Sequence, residues 1–331
     1  MTEDDCLIAP LGLGPLQLED LPLSAQSRGN PVPAAGEQIR RLIERVAFQA
    51  NRAAKAPSPD AIHDLRVAIR RTEQALATFK PLLPRKATKR VRKQLKTVLG
   101  PAGAVRDCDI AVKILLKFRH PEAADLRRHI RARRKAAEGS LQAELKGLSL
   151  RTKVSRWLAH LRLHAPQNEI QRETRAVAAT ALPRLAQRFF EAGDGAAASR
   201  HSGEKLHEFR IQAKKFRYTL ELFAPLYGSA LTEWIGEIKS VQSILGKMND
   251  YRSVLALATG FKCSKNLRAS LKRSERRKAR EFRECWTERF SPALAGKWKR
   301  AVRAERPEPS VPRKPVVLAT APSPHRLTAQ A

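Results

Sequence analysis

Acidic residues, aromatics and cysteines are all scarce in this chain, and each shortage excludes something. Only 32 Asp and Glu stand against 64 Lys and Arg in 331 residues, a formal net charge of +32. An excess of that size implies a polyanionic partner: nucleic acid, a polyphosphate or an acidic membrane surface. Aromatics make up 5%. Single-stranded nucleic acid is usually held by stacking its bases on aromatic side chains, and no basic segment here is interleaved with them. That argues against a single-strand reader and leaves contact with duplex backbone open. The four cysteines, Cys6, Cys108, Cys263 and Cys285, form no C-x-x-C pair and have no histidines at zinc spacing. Neither a disulfide framework nor a structural zinc is expected, and no cofactor is called for. No run approaches the roughly 18 apolar residues of a membrane span. Met1-Thr2-Glu3-Asp4-Asp5 is acidic where a secretory signal would be basic, so we read the chain as cytoplasmic.

Alternating strand patterns are missing too, and what fills the chain is helical periodicity. Residues 1–34 carry Pro and Gly at short intervals and read as a flexible leader. Residues 303–331 are Pro-rich and read as a disordered tail. Between them the expected helices cover about 36–55, 60–80, 85–99, 105–118, 122–146, 149–164, 170–191, 204–224, 229–246, 249–259 and 264–290. Pro183 is expected to kink one helix. Ala192-Gly193-Asp194-Gly195 reads as a flexible connection.

One short pattern occurs twice. The first copy is His63-Asp64-Leu65-Arg66-Val67-Ala68-Ile69-Arg70-Arg71; the second is His207-Glu208-Phe209-Arg210-Ile211-Gln212-Ala213-Lys214-Lys215. At about 100° per residue, His63, Arg66 and Arg70 share one side of a helix. Leu65, Ile69, Thr72, Leu76 and Phe79 share the other. In the second copy His207, Arg210, Lys214, Arg217 and Tyr218 form one stripe, and Phe209, Ala213, Phe216, Leu220 and Phe223 the opposite one. Like charges at i,i+4 cost a helix about 0.2–0.5 kcal/mol per pair. A stripe kept for solubility would mix signs; one that binds phosphates would not. Another helix places Lys89, Arg92, Lys93 and Lys96 close to one face, where they are expected to line the same anion-binding groove. The runs Arg127–Lys135 and Lys272–Arg280 read as solvated faces.

The repeat extends past the motif. Phe79 before Pro81-Leu82 matches Phe223 before Pro225-Leu226. Val98-Leu99-Gly100 matches Ile244-Leu245-Gly246. Arg106-Asp107-Cys108-Asp109 matches Asn249-Asp250-Tyr251-Arg252, with three extra residues in the first half. The fold class expected is all-α: two internally repeated, four-helix-bundle-like halves, about 35–165 and 166–302. A pseudo-two-fold axis would relate them and leave a basic central groove.

At these segments the chain resembles the CHAD family, the conserved histidine α-helical domain. The resemblance covers roughly residues 36–300. It implies an all-helical two-bundle fold that binds inorganic polyphosphate, with association to polyphosphate granules a further implication. By position, the ligands implied are His63, Arg66, Arg70 and Arg71 with His207, Arg210, Lys214 and Lys215. Pro101-Ala102-Gly103 departs from the pattern, reads as a lengthened loop, and puts the reach of Arg106 in question. The E-x-E-x-K motif of the triphosphate-tunnel enzyme fused to some members is missing, so the stand-alone, non-enzymatic form is expected.

Polyphosphate carries about one charge per unit and no bases, which suits a row of cations with few aromatics. Asp64 and Glu208 adjoin the histidines but point about 100° away, so they form no catalytic dyad. Phosphate-bound histidines would make binding strengthen as pH falls through the histidine range. Two other classes stay open. A nucleic-acid-binding protein fits the charge, without a helix-turn-helix, zinc-finger or RNA-binding signature. A metal-dependent phosphate-processing enzyme would need clustered carboxylates, for which Asp107, Asp109 and Asp250 are candidates. Helix N-capping after the Leu-Gly break is the plainer role expected of them.

Overall fold

A computed structural model describes residues 35–304, except 148–149, 162–166, 200–202, 228, 260 and 262–264. The leader (1–34) and most of the tail expected at 303–331 therefore lie outside the described residues. Everything regular within them is helical: α1 (Ala35–Lys55), α2 (Pro59–Thr78), a 3-10 turn (Lys80–Leu82), α3 (Arg85–Leu115), α4 (Pro121–Gly147), α5 (Leu150–Leu161), α6 (Gln167–Ala198), α7 (Gly203–Tyr227), α8 (Ser229–Leu257), α9 (Lys265–Arg289) and α10 (Pro292–Ala304).

Helices α1–α4 pack each on the next, and α4 returns to α1; α6–α9 do the same, with α9 against α6. The two sets meet where α2 lies on α7 and α3 on α8. Helices α2 and α7 carry the two motif copies. Helix α2 starts on Ser58, whose hydroxyl accepts from the Ala61 amide at 3.2 Å, with Pro59 in its first turn. The apolar stripes predicted for both helices are buried throughout, Thr72 included. The matched Phe79 and Phe223 meet edge to face, with ring centroids 5.7 Å apart. Gln74 of α2 donates to the Thr219 hydroxyl of α7 at 3.0 Å.

Three expectations are overturned, for one reason. Helix α3 runs unbroken through Gly100-Pro101-Ala102-Gly103, where a loop was expected. Helix α8 runs through Gly246, merging two expected helices. Helix α6 continues through Ala192–Gly195 to Ala198 and holds Pro183 within it. An interior proline costs about 3 kcal/mol. In each case the residues around the breaker are packed: Ala102 and Val105, Leu245 and Met248, Ala186 and Ala196. Asp107, Asp109 and Asp250 therefore sit inside helices and cap nothing, which removes the plainer role expected of them.

Helix α10 was not anticipated. Its Trp298 is buried and stacks on Trp234 at 4.5 Å. Nine aromatics gather there: Phe189, Phe190, Phe209, Phe216, Trp234, Phe282, Trp286, Phe290 and Trp298. They are half of the chain's 18 aromatics (11 Phe, 4 Trp, 3 Tyr), so the small aromatic supply goes largely into one core. Gly193 is glycine because a Cβ there would overlap the Trp286 indole. Asp194 accepts from Trp286 Nε1 at 2.9 Å.

Matched ion pairs tie both halves to the starts of the motif helices. Arg134 of α4 donates to Asp109 of α3 at 2.6 Å and to the Pro57 carbonyl at 3.0 Å, just ahead of α2. Arg252 of α8 donates to Glu275 of α9 at 2.9 Å and to the Gly203 carbonyl at 2.8 Å, the first residue of α7. In the motif alignment Asp109 stands opposite Arg252, so the pair is kept with its charges exchanged.

Trp298→Ala should cost about 3–5 kcal/mol, the range for truncating a buried aromatic. Urea unfolding of the two proteins checks this, and a loss under 1 kcal/mol would mean that α10 is not part of the core.

Candidate anion-binding site

The crossing of α2 on α7 opens into a cavity of about 770 Å³ walled by five helices. Helix α2 supplies His63, Arg66, Arg70 and Arg71, and α7 supplies Arg210, Lys214, Arg217 and Tyr218. Arg45 and Arg52 come from α1, Arg106 and Asp107 from α3, and Asn249 and Asp250 from α8. With Asp64, the wall holds nine Lys and Arg side chains against three carboxylates.

The predicted residues divide. Six cations of the two stripes converge: Arg66, Arg70, Arg71, Arg210, Lys214 and Arg217. His63 joins them at the wall. His207 and Lys215 are exposed on α7 and do not line the cavity. Lys89, Arg92, Lys93 and Lys96 lie along α3 outside the lining. Arg92 and Lys96 act there, with Arg70, on Glu73, whose carboxyl burial pushes above the usual range. Arg106 reaches the cavity after all, because the stretch read as a loop is helix. Its guanidinium also donates to the Pro59 carbonyl at 3.3 Å.

Burial and like charge set the electrostatics. Burial, with Arg70 beside it, pushes the Arg66 guanidinium down to about 10, so it stays charged at neutral pH. Burial lowers Arg210 too, with Arg70 adding to the effect. Lys214 is the extreme. Burial first, then Arg210, Arg70, Arg66 and Arg217, bring its ammonium down to about 6. His63 is pushed down by burial and then by Arg106. Asp107 and Asp250 are raised by burial, against the pull of Arg66 on one and Arg210 on the other.

Some cations are held in place and others have capacity left. Arg71 donates to Glu221 at 3.1 Å, and Glu221 also faces Arg217 at 3.5 Å. Tyr218 lies under the Arg217 guanidinium, 4.9 Å from it. The buried Nε atoms of Arg210 and Arg217 and Nε2 of Gln49, all on cavity-lining residues, have no hydrogen-bond partner among the described residues. Unmet buried donors are costly, and an incoming oxyanion would supply acceptors.

Gly103 allows one approach that sequence reading missed. A Cβ there would lie 2.6 Å from Arg66 Nη1. Without it, the guanidinium lies against α3 and donates to the Leu99 carbonyl at 3.3 Å. Arg45 and Arg52 were missed as well, although their i,i+7 spacing on α1 puts them on one face.

An all-α domain that folds two basic motif helices into one cation-lined cavity defines the class. The chain belongs to the CHAD family: the family model described as CHAD domain matches residues 37–259. Two solved structures share the fold. The CHAD domain from the plant Ricinus communis is 17% identical with a TM-score of 0.57, over 84% of this chain and 94% of that one. PptA from Streptomyces chartreusis is 16% identical with a TM-score of 0.50, over 80% of this chain and 100% of that one. No curated protein sequence matches the chain.

Lys214 generates a stability prediction. Unfolded, its pKa is about 10.4; folded, it is about 6. Between those values the unfolded chain binds more protons, so this residue makes stability rise with pH. Lys214→Met should therefore raise the melting temperature of the ligand-free protein at pH 7, with a smaller gain at pH 9.5. Equal gains at both pH values would refute a suppressed lysine.

Proposed function

We propose that this protein binds inorganic polyphosphate in the α2/α7 cavity and serves as a non-catalytic targeting or scaffold module. The observation that carries the reading is the convergence of six motif cations on one cavity, with Arg donors there left unpaired. Arginine holds phosphate oxygens bidentately, while lysine acts as a point charge. Charge-assisted hydrogen bonds contribute about 1.5–3 kcal/mol each, so a few of them reach the roughly 8 kcal/mol of micromolar affinity. The cytoplasm, with polyphosphate granules within it, is where such a ligand would place the protein. No described helix is long and apolar enough to cross a membrane.

The candidate carboxylates of the enzymatic reading are divided: Asp107 and Asp250 share the cavity wall, and Asp107 adds to the upward shift of Asp250. Asp107 and Asp250 lie among arginines, and Asp109 is held by Arg134 outside the lining. That supports charge recognition over a metal-dependent step. Metal-dependent phosphate release from polyphosphate would reverse the judgement.

Labelled long-chain polyphosphate, competed by duplex DNA and by tRNA near physiological salt, tests the reading. Polyphosphate should bind much tighter than either nucleic acid, and Arg66→Ala/Arg210→Ala should weaken it by about 100-fold or more, from two lost charge-assisted contacts. Equal competition by nucleic acid, with the variant unaffected, would mean that the cavity is not the site.

The pH response passes from the histidines to Lys214. An entering phosphate favours its charged form, so binding takes up a proton. Affinity should fall as pH rises above about 6, by up to about tenfold per pH unit. Lys214→Arg, whose charge is fixed, should flatten the profile, and a wild-type profile that is already flat would rule out proton uptake there.

A further inference from the structure

Helix α9 carries a second concentration of charge, unrelated to the cavity. Besides Arg289, which is paired with Glu237, six of its cations are exposed: Lys265, Lys272, Arg273, Arg276, Arg277 and Arg280. Stepping 100° per residue puts them on one face about 140° wide. The opposite face, with Leu267, Leu271, Phe282 and Trp286, is buried in the core. Acids within this stretch are already engaged. Glu275 is held by Arg252 of α8, and Glu281 by Lys278. None of the six exposed cations is ion-paired among the described residues. The pairs 272/276, 273/277 and 276/280 are like charges at i,i+4, each costing about 0.2–0.5 kcal/mol. Free acids, Glu284 and Glu288, appear only beyond the row.

The row lies along one continuous helix. From Lys265 to Arg280 it runs about 22 Å at 1.5 Å per residue, the span of six or seven phosphates of one strand of duplex at about 3.4 Å each. A cavity of about 770 Å³ is the size of a small-ligand pocket and cannot admit a duplex; an exposed helix face can lie along one. Large exposed apolar side chains among the described residues are Phe48, Leu116 and Ile211, none of them on α9. The face thus has nothing to stack on single-stranded bases and nothing to insert into a lipid surface. A duplex presents its phosphates already ordered, which avoids much of the entropy cost of immobilising a flexible chain.

We infer that the outer face of α9 is a docking surface for the phosphate backbone of duplex nucleic acid, separate from the cavity and without sequence preference. Chains engaged at both places would link a duplex to the cavity's own anion.

The test is fluorescence anisotropy of a labelled 20-bp duplex with the full chain at several salt concentrations, beside polyphosphate binding. Arg273→Glu/Arg276→Glu/Arg280→Glu should weaken duplex binding about tenfold or more at ~0.1 M salt and reduce the salt slope by about three. The same variant should keep its polyphosphate affinity within about twofold. Arg66→Ala/Arg210→Ala should leave the duplex curve in place. The inference is overturned by absence of duplex binding at low salt, by an α9 variant that binds duplex like wild type, or by loss of duplex binding in the cavity variant. Failure of polyphosphate to bind at all would sink the cavity reading and leave the duplex result standing.

Discussion

Packing of α2 against α7 is the interaction on which the remainder rests. These helices meet where Phe79 packs on Phe223, Gln74 donates to Thr219 and Arg71 pairs with Glu221, and they bring their cationic sides round one cavity. Two unit charges 4 Å apart repel by about 4 kcal/mol at a surface-like dielectric. Eight large apolar side chains on the two stripes are buried, each worth about 1.5–3 kcal/mol, and that burial can hold several such repulsions. The strain shows in Lys214, which sheds its proton near pH 6, and in the unpaired donors of Arg210 and Arg217. Three carboxylates in the wall, and Glu221 beside Arg71 and Arg217, offset part of the repulsion among the nine cations.

The long hairpins aim the motif helices. In each half an ion pair spans the hairpin, and its arginine donates to the carbonyl at the start of the motif helix. One arginine is on α4 and the other on α8, with the acid on the opposite partner. Electrostatic attraction does not depend on which helix carries which sign, so an exchanged pair performs the same anchoring. Gly103 adds the last adjustment, letting α3 come close enough for Arg66 to rest on its backbone.

Much of this was legible in the chain. The absence of strand periodicity gave an all-helical fold. Stripes of Leu65, Ile69, Leu76 and Phe79, and of Phe209, Phe216, Leu220 and Phe223, are buried as their spacing required. The misreadings concern Gly100–Gly103, Gly246 and Ala192–Gly195, all treated as breaks. Glycine and proline raise the local cost of helix, yet flanking residues sealed in the core repay more than that cost. Helix α10 escaped notice because a short basic segment before a Pro-rich tail shows little until Trp298 is seen stacked on Trp234.

Sequence by itself determined the excess of positive charge, the helical class and which sides of α2 and α7 are charged, because composition and periodicity are local properties. Only the tertiary structure decided which cations share a cavity. It drew in Arg45, Arg52 and Arg106, left His207 and Lys215 outside, and turned Asp107 and Asp250 from presumed caps into buried neighbours of arginine. Those outcomes depend on how closely helices distant in sequence approach one another and how much water remains between them. Neither distance nor dielectric is written in any single helix.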